Sequence, residues 1–451
     1  MSTNKSIYEK FIIESADRSK TADISEGVIA FTYFENIFSP YLTARVIVSN
    51  TAGSIVGEDG KKQSIYNGLP LRGGERVLIK IAANSPTNQD FDFTKDVSDY
   101  FYVASITNVL LDEGTESFTL NLVSREAITN ETMRVGKKFP TSEKISDSVK
   151  DIMKNYLKIP NDKVGVVEET QNKYGFIGNM KKPFTLLTWL SAKSVSGRSK
   201  PSEDSSAGYV FYQSSIGYNF CSIDHLMEQR PFSKDFTYNP SVVDTDDPNK
   251  DFKILTYATS RNQDLIGKLE RGAYSSVRYY INPVSFEPSI SVFNSKNYIG
   301  KVNTLGDKPF PLPRINDDSE ETLGDIPSRI FVAMLDIGTL ERDASDDGWN
   351  DSVNRNANPE RIHSQAMMRY NQIFTQVIEI TIPLNTNLLA GVVIRCIFPQ
   401  LAQSKRGEPD PELSGLYMIK ELAHYFDGGG SYTKLKIVRD SFGRKWLKII
   451  Y

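Results

Sequence analysis

Cysteine is nearly absent from this chain. Cys221 and Cys396 are the only two in 451 residues, they lie far apart, and they form no CxxC. A disulfide-stapled secreted scaffold is not expected, and synthesis in a reducing cytoplasm is. Histidine is almost as scarce. His225, His363 and His424 make neither HxxxH nor HExxH, so zinc has no evident ligand cluster. Charge of one sign is lacking too, since 53 Lys and Arg against 56 Asp and Glu leave a net charge of −3. A face that grips DNA, RNA or an anionic membrane needs a surplus of basic residues. The longest apolar runs, such as LLAGVVI at 388–394, fall well short of the roughly 20 residues that span a bilayer. The opening MSTNKSIYEKFII has no apolar core or cleavage site, so no signal peptide is expected. GxSxG, GxxxxGK[ST] and GxGxxG do not occur, and GSIVGEDGK at 53–61 has the wrong spacing for a phosphate loop and reads as turns.

What is present is material for strands. There are 24 Phe and 22 Tyr beside many Val, Ile and Thr, side chains that fill a pleated, half-buried surface. The length allows about three domains. Strands are predicted over 28–36, 41–49, 74–83, 98–111 and 116–124, with turns such as Asp112-Glu113-Gly114 between them. A helix is predicted over 142–157, N-capped by Thr141 with Glu143 in its first turn. Ile145, Val149, Ile152, Met153 and Tyr156 share one face, and Pro160 ends it. A second helix starts at Pro183 and carries Leu187, Trp189 and Leu190. GYVFYQSS and GYNFCSID (208–223) form a hairpin around Ser215-Ile216-Gly217. The acidic, turn-rich stretches 240–251, 312–325 and 341–360 read as surface loops or linkers, and strand pattern returns over 366–442.

An internal repeat decides the organisation. YVASITNVLLDEGTESFTLNLVSRE (102–126) matches YMIKELAHYFDGGGSYTKLKIVRD (417–440). Tyr102 aligns with Tyr417, Asp112 with Asp427, Leu120-x-Leu122-Val123 with Leu435-x-Ile437-Val438, and Arg125 with Arg439. Upstream, LRGGERVLIKIA (71–82) resembles LLAGVVIRCIFP (388–399), and YFENIFSPYLTARVIVSN (33–50) more loosely resembles YNQIFTQVIEITIPLN (370–385). The three blocks keep their order. The second copy reads as interrupted, with strand-like KILTYATSRNQ (253–263) before an irregular stretch, 283–365.

The closing phrase 414–443, the pairing of 33–53 with 71–81, and the middle stretch 181–226 together resemble baseplate central hub proteins of contractile-tailed, T4-like bacteriophages, related to the hub part of type VI secretion spikes. The resemblance covers most of the chain except roughly 285–365. It implies a mainly β fold with α+β parts: two duplicated tail-tube-like antiparallel β-barrel domains plus two smaller domains. The first barrel would be 1–126, the small α+β domain 127–225, the second barrel 226–284 with 366–451, and an inserted irregular domain 285–365. It further implies a non-enzymatic homotrimer of the virion tail, assembled in the bacterial host cytoplasm, that matches the hexameric tail tube to the trimeric spike. Its partners would be the tube protein, a spike that in related phages often carries a lysozyme domain, and wedge or tape-measure proteins. DNA would meet it only in transit, during genome ejection, and no membrane insertion is implied. No cofactor is implied either. The alternatives are a receptor-binding or adhesin-like tail component and, behind that, a virion-associated hydrolase.

Few single residues stand out. Tyr102, Tyr417, Arg125 and Arg439 are candidate interface anchors, because Tyr and Arg dominate interface hot spots. The alternative is that the tyrosines cap barrel cores and the arginines cover barrel ends. Asp112 and Asp427 mark the repeat. His424 is expected on a strand surface or near a turn. Asp343-Ala-Ser345-Asp-Asp347-Gly348 with Asp351 imitates a calcium loop, but Asn354 stands where a bidentate Glu is needed, so a solvated acidic loop is the better reading. The basic run Arg444-Lys445-Trp446-Leu447-Lys448 either meets an acidic partner or extends along the surface.

Overall fold

Period-two alternation builds the dominant element of the computed structural model, a 15-stranded sheet that runs through both copies of the repeat. The structure describes residues 5–51, 55–56, 62–112, 114–197, 207–239, 249–260, 264–283, 285–299, 302–308, 312–316, 318–336, 338–339, 356, 359–400 and 408–443. The calcium-like loop at 343–354 and the basic run at 444–448 lie outside them, as do most of 240–251 and 53–61.

The first module contains β1 (Ile7–Glu14), β2 (Val28–Asn36), β3 (Thr43–Thr51), β4 (Arg76–Ala82), β5 (Phe101–Asp112) and β6 (Thr115–Ser124). They pair antiparallel in the order β2-β3-β6-β5-β4-β1. In β2, alternation sends Phe31, Tyr33 and Glu35 inward. The predicted strands coincide with these to within about three residues. β1 was not among them, because a register shift between Tyr8 and Lys10 breaks its alternation.

The middle of the chain holds α1 (Ile145–Asn155), α2 (Pro183–Lys193) and the hairpin β7 (Tyr209–Ser214) and β8 (Gly217–Ser222), over its own apolar cluster. α2 starts at Pro183 as its first-turn preference dictates. α1 starts three residues later than predicted, and Thr141 does not cap it. Lys144 bridges Lys173, and the first helical N–H groups of Ile145 and Ser146 donate to Asn172 O and Thr170 Oγ1. A crossing segment satisfies the groups that a local cap would otherwise serve.

The second module contains β9 (Asp235–Tyr238), β10 (Thr256–Ser260), and, after a long excursion, β14 (Gln376–Pro383), β15 (Val393–Ile397), β16 (Gly415–Asp427) and β17 (Tyr432–Arg439). Its order is β10-β14-β17-β16-β15-β9. Five strands of each module therefore follow one plan, β2-β3-β6-β5-β4 against β10-β14-β17-β16-β15; the aligned blocks fall on β4, β5 and β6 and on β15, β16 and β17, while in the looser third block β3 matches β14 but 33–36 of β2 stands against 370–372 of a helix. The sixth differs, since β1 pairs antiparallel and β9 parallel. One apolar cluster runs beneath both modules.

The excursion is not irregular throughout. β11 (Ser275–Ile281), β12 (Pro288–Asn294) and β13 (Arg329–Met334) make a separate three-stranded sheet, with β11 in the centre. It packs beside α3 (Pro359–Gln372), which leads into β14. The central strand comes from before residue 285, so this sheet draws on both sides of that boundary. Among the described residues no helix is long and apolar enough to cross a membrane.

Candidate assembly surface

The two modules are joined by strand pairing. β16 uses residues 415–418 on β15 of its own module, shifts register between Ile419 and Glu421, and then pairs 421–427 with β2 of the first module, from Glu421 opposite Asn36 to Asp427 opposite Ala30. The shift lets one strand serve two neighbours on the same edge. It also explains why strict alternation from Tyr417 fails after Ile419.

Packing fixes this junction. Phe31 meets Phe426 at 5.6 Å, and Tyr33 stacks on His424 at 6.0 Å with planes 10° apart. Glu35 is buried and accepts hydrogen bonds from Tyr33 Oη (2.7 Å), the Ser215 N–H (2.7 Å) and the Ala390 N–H (2.8 Å). It thereby ties the first module to the middle hairpin and to the second module. Burial pushes its carboxyl above the usual range, against those three donors. Ile37-Phe38 and their repeat counterparts Ile373-Phe374 meet here, the two Phe rings 6.0 Å apart with the Lys420 ammonium over both.

His424 is not on the strand surface as expected. It is 1% exposed, because the shift at Lys420 redirects this half of β16. Burial lowers its pKa from 6.5 to about 3, against the opposing effect of the Leu388 backbone. A folded pKa below the unfolded one means that the folded chain binds fewer protons. The stability tied to neutral His424 is therefore complete above pH 6.5 and is lost as the pH falls toward 3, with a limiting slope of about 1.4 kcal/mol per pH unit. Urea unfolding at pH 7 and pH 5 should show this loss, and His424→Asn should reduce it.

The joined strands form an eight-strand run, β5-β6-β3-β2-β16-β17-β14-β10. Its concave side is a groove of about 780 Å³, lined by Phe34, Thr43, Thr256, Glu379, Glu421 and Lys434 among others. Its charges are of both signs. Glu379 pairs with Lys436 at 3.3 Å, and the Lys434 ammonium sits 5.1 Å from the Tyr425 ring, which stacks on Tyr432. Among the described residues no three His, Cys, Asp or Glu side chains gather as metal ligands.

Beyond the start of β5, the two outer edges of the run have no strand partner among the described residues. β5 pairs with β4 only at Phe101 and Tyr102, leaving its later residues as an edge on which Leu110 is 68% and Leu111 53% exposed. β10 pairs only with β14. By strand order, β5 corresponds to β16 and β10 to β2, and β16 with β2 is the pairing made inside the chain.

The repeat-defining residues take unequal places. Tyr417 is buried and donates to Leu413 O at 2.6 Å, with the Arg439 guanidinium 4.6 Å over its ring. Arg439 is also buried and donates to Gln376 Oε1, Gly443 O and Glu412 O. In the first copy Arg125 is not brought to Tyr102. It bonds Glu126 and Lys158 O instead, and Arg76 takes its place, donating from Nε to Tyr102 Oη at 3.2 Å. Asp112 and Asp427 end β5 and β16, and Asp427 accepts the Gly429 N–H of the following turn. Sequence reasoning missed Glu35, which alternation in β2 places inward. It also missed Arg369, buried between Asp224 and Asp440, for which the sequence carries no signal.

No protein-family model matches the sequence, and no curated protein does either. Among solved structures the chain is similar to the 43 kDa tail protein of prophage MuSo2 from Shewanella oneidensis, with a TM-score of 0.50 and 10% identity over 96% of this chain and 98% of that one. The fold is that of phage tail proteins. The tail protein from Neisseria meningitidis MC58 is similar to the same extent, with a TM-score of 0.50 and 8% identity over 96% of each chain. At such identities the likeness is one of fold, and it runs nearly end to end in both proteins.

Proposed function

We propose that this chain is a structural baseplate hub of a contractile phage tail, acting as a homotrimer and not as an enzyme. The observation that carries this reading is the pair of unmatched edges. The chain makes one β16–β2 junction internally and ends on one β16-type edge, β5, and one β2-type edge, β10. Repeating that junction between copies joins β10 of one to β5 of the next, a heterologous contact that can close a ring. Three chains close with six equivalent four-strand units, which covers every edge and suits a hexameric tube above and a trimeric spike below.

The register follows from the repeat. Val46 faces Phe31 and Leu120, while Ile380 faces Tyr257 and Leu435, so Phe31 corresponds to Tyr257. Ser117 faces Leu110 and Tyr432 faces Tyr425, and Tyr425 faces Thr32. Leu110 of one copy then lies opposite Ala258 of the next, covering an exposed leucine.

In this reading the two modules, whose described strands form an open sheet and not closed barrels, are the tube-type units, broadly 1–126 and 226–284 with 366–451. The middle unit 127–225 and the segment 285–365 are the smaller domains. Asp112 ends the half of β5 that would carry the ring contact, while Tyr102 and Arg125 belong to the other end of β5 and β6. The tube, the spike with or without a lysozyme domain, and wedge or tape-measure proteins are the partners, and DNA passes the bore. The near-neutral concave face supports this, since a basic one would hold phosphates. In the test, native mass should be three times the 50.7 kDa chain, alone or once the spike is added. Leu110→Cys with Ala258→Cys should link copies on oxidation, because facing strand residues have Cα atoms about 4.5–5.5 Å apart, within disulfide reach. A chain that stays monomeric in both conditions, with no linking, would remove the proposal.

A further inference from the structure

The small sheet is inside out. The face packed toward α3 carries Ser276, Arg278, Ser289, Ser291 and Arg329 among its aromatic residues, and the Arg278 guanidinium lies 4.4 Å over the Phe331 ring. The face turned to solvent carries no charge. Val277, Tyr279 and Ile281 of the central β11 point there. Ile290 and Val292 of β12 flank them on one side, and Ile330, Val332 and Met334 of β13 on the other. Val332 is 70% exposed, Ile330 66%, Val292 65% and Met334 62%. Phe286, in the turn between β11 and β12, is 73% exposed at a φ of 59°, a conformation that a bulky side chain rarely adopts.

A half-buried sheet ordinarily turns its apolar face to the core and its polar face to water. Here the order is reversed, and nothing among the described residues covers the outer face. Its exposed apolar side chains, with Phe286, present on the order of 800 Å², more than the apolar patch of an ordinary monomer and about one partner's share of a standard interface. Polar groups bound it at both ends. Asn294 Nδ2 donates to Asp325 at 3.3 Å and Lys296 pairs with the same carboxylate at one end, and Asn282 bonds the Glu287 backbone at the other. An apolar centre inside a polar rim is the anatomy of a protein interface.

The grid also narrows what can sit on it. With no charge there, neither nucleic acid nor a strongly charged segment finds a counter-charge. In the ring proposed above, pairing two such faces leaves the third chain bare, and gathering all three on the axis closes the bore. The outer strands of the sheet are about 10 Å apart, the width of one α-helix. α3 covers the packed face in that way, over β11 and β12. A facing sheet would bring a further bare face with it, whereas a helix carries its polar side outward.

We infer that this face docks an amphipathic α-helix of a partner protein, one helix per chain, through a stripe of uncharged apolar side chains. The exclusion of a second copy rests on the trimeric reading. Three faces that each take their own helix leave the bore open.

The full-length chain, free of any partner, tests this with two synthetic peptides of about 18 residues, long enough to form a helix on binding. Both contain the same leucine, alanine, glutamate and lysine residues. One sets its leucines at i, i+3, i+4 and i+7, and the other reorders them so that no stripe forms. Cys221 and Cys396 are both buried, so an introduced thiol is the one that a maleimide reaches. In the free chain, Val332→Cys should label close to the rate of the urea-unfolded chain. The striped peptide at saturation should slow that labelling about tenfold, and should bind the parent about tenfold more tightly than the reordered one. Val332→Asp should abolish that preference while the circular dichroism spectrum and melting temperature stay as in the parent. Equal affinity for the two peptides, or none for either, overturns the inference. So does a free chain in which the Val332→Cys thiol is already protected, because the chain or its copies then cover the face. Native mass and the Leu110–Ala258 link are read on the same protein. A monomer that docks the striped peptide loses the ring and keeps the helix site, and a ring indifferent to the peptide does the reverse.

Discussion

Replacing Arg369 with methionine should destabilise the fold by about 3–5 kcal/mol at pH 7, read as a fall in the urea midpoint without a change in slope. Arg369 is wholly buried on α3. Its guanidinium bonds Asp224, in the short helix after β8, and Asp440 Oδ2 at 3.2 Å, just past β17, while Nη1 also reaches Gln372 at 3.2 Å. Three parts of the chain meet at this one cation. Burial opposes its charge, but the two carboxylates more than offset that and hold its pKa above the ordinary value. Without it, Asp224 and Asp440 are left as buried carboxylates that have lost the cation bridging them. Burial already pushes Asp224 up in the native protein, against the pull of Arg369. In the variant Asp224 loses that pull and favours the protonated form still more, so the folded state binds more protons than the unfolded one. The deficit should therefore be largest at neutral pH and shrink as the pH falls toward the ordinary carboxylate range, near 4. Adding Asp224→Asn and Asp440→Asn to Arg369→Met should recover most of the loss at pH 7. The amide oxygen that Asp440→Asn leaves in place can still accept the Leu305 N–H, which Asp440 Oδ1 now holds at 3.0 Å. If the triple variant were no more stable than the single one, the loss would lie in packing and not in stranded charge.

How the chain folds was legible where the determinants are local. The strand at 28–36 could be placed because its apolar residues alternate and its ends are marked by turns, and α2 because proline suits only its first turn. The repeat was legible because each copy closes with a tight hairpin, whose Tyr, Gly and β-branched residues are dictated by turn geometry and cross-strand packing. What stayed hidden depends on distant partners. The β2–β16 junction joins residues 385 or more apart in sequence, and the polar groups at its rim, such as Asn36 with Glu421, look like ordinary surface residues until paired. His424 carries no local sign of burial, because its face is set by the register shift at Lys420. The small sheet was missed although Ile290-Ser-Val292 alternates and Ile330–Met334 is an unbroken apolar run. Its third strand lies 34 residues beyond the second and pairs in parallel with the first, so no hairpin signal announces it. Its exposed face also resembles a core strand, which reads as buried in any pattern argument.

Opposing like charges across the proposed rim should break the assembly in a register-specific way. Leu110→Asp with Ala258→Asp, both in one chain, would set two carboxylates directly opposite each other at each of three junctions. Like charges facing across a strand pair cost up to about 1 kcal/mol, so a ring of three loses about 3 kcal/mol, roughly a hundredfold in its association constant. Both sites are exposed in the single chain, so folding should be untouched and the melting temperature of the monomer unchanged. Leu110→Lys with Ala258→Asp changes the same two positions but sets opposite charges face to face, and it should retain the trimer. The contrast between the two variants is the useful quantity, since it cancels the loss of the leucine and reports only what stands opposite what. Raising the salt concentration should narrow it, because charges at an exposed edge are screened over about 8 Å at physiological ionic strength. Equal dissociation of both variants would mean that Leu110 and Ala258 do not face each other and that the junction does not repeat in the register found inside the chain. A ring that survives both would place its contacts elsewhere, with the apolar face of the small sheet as the next surface to change.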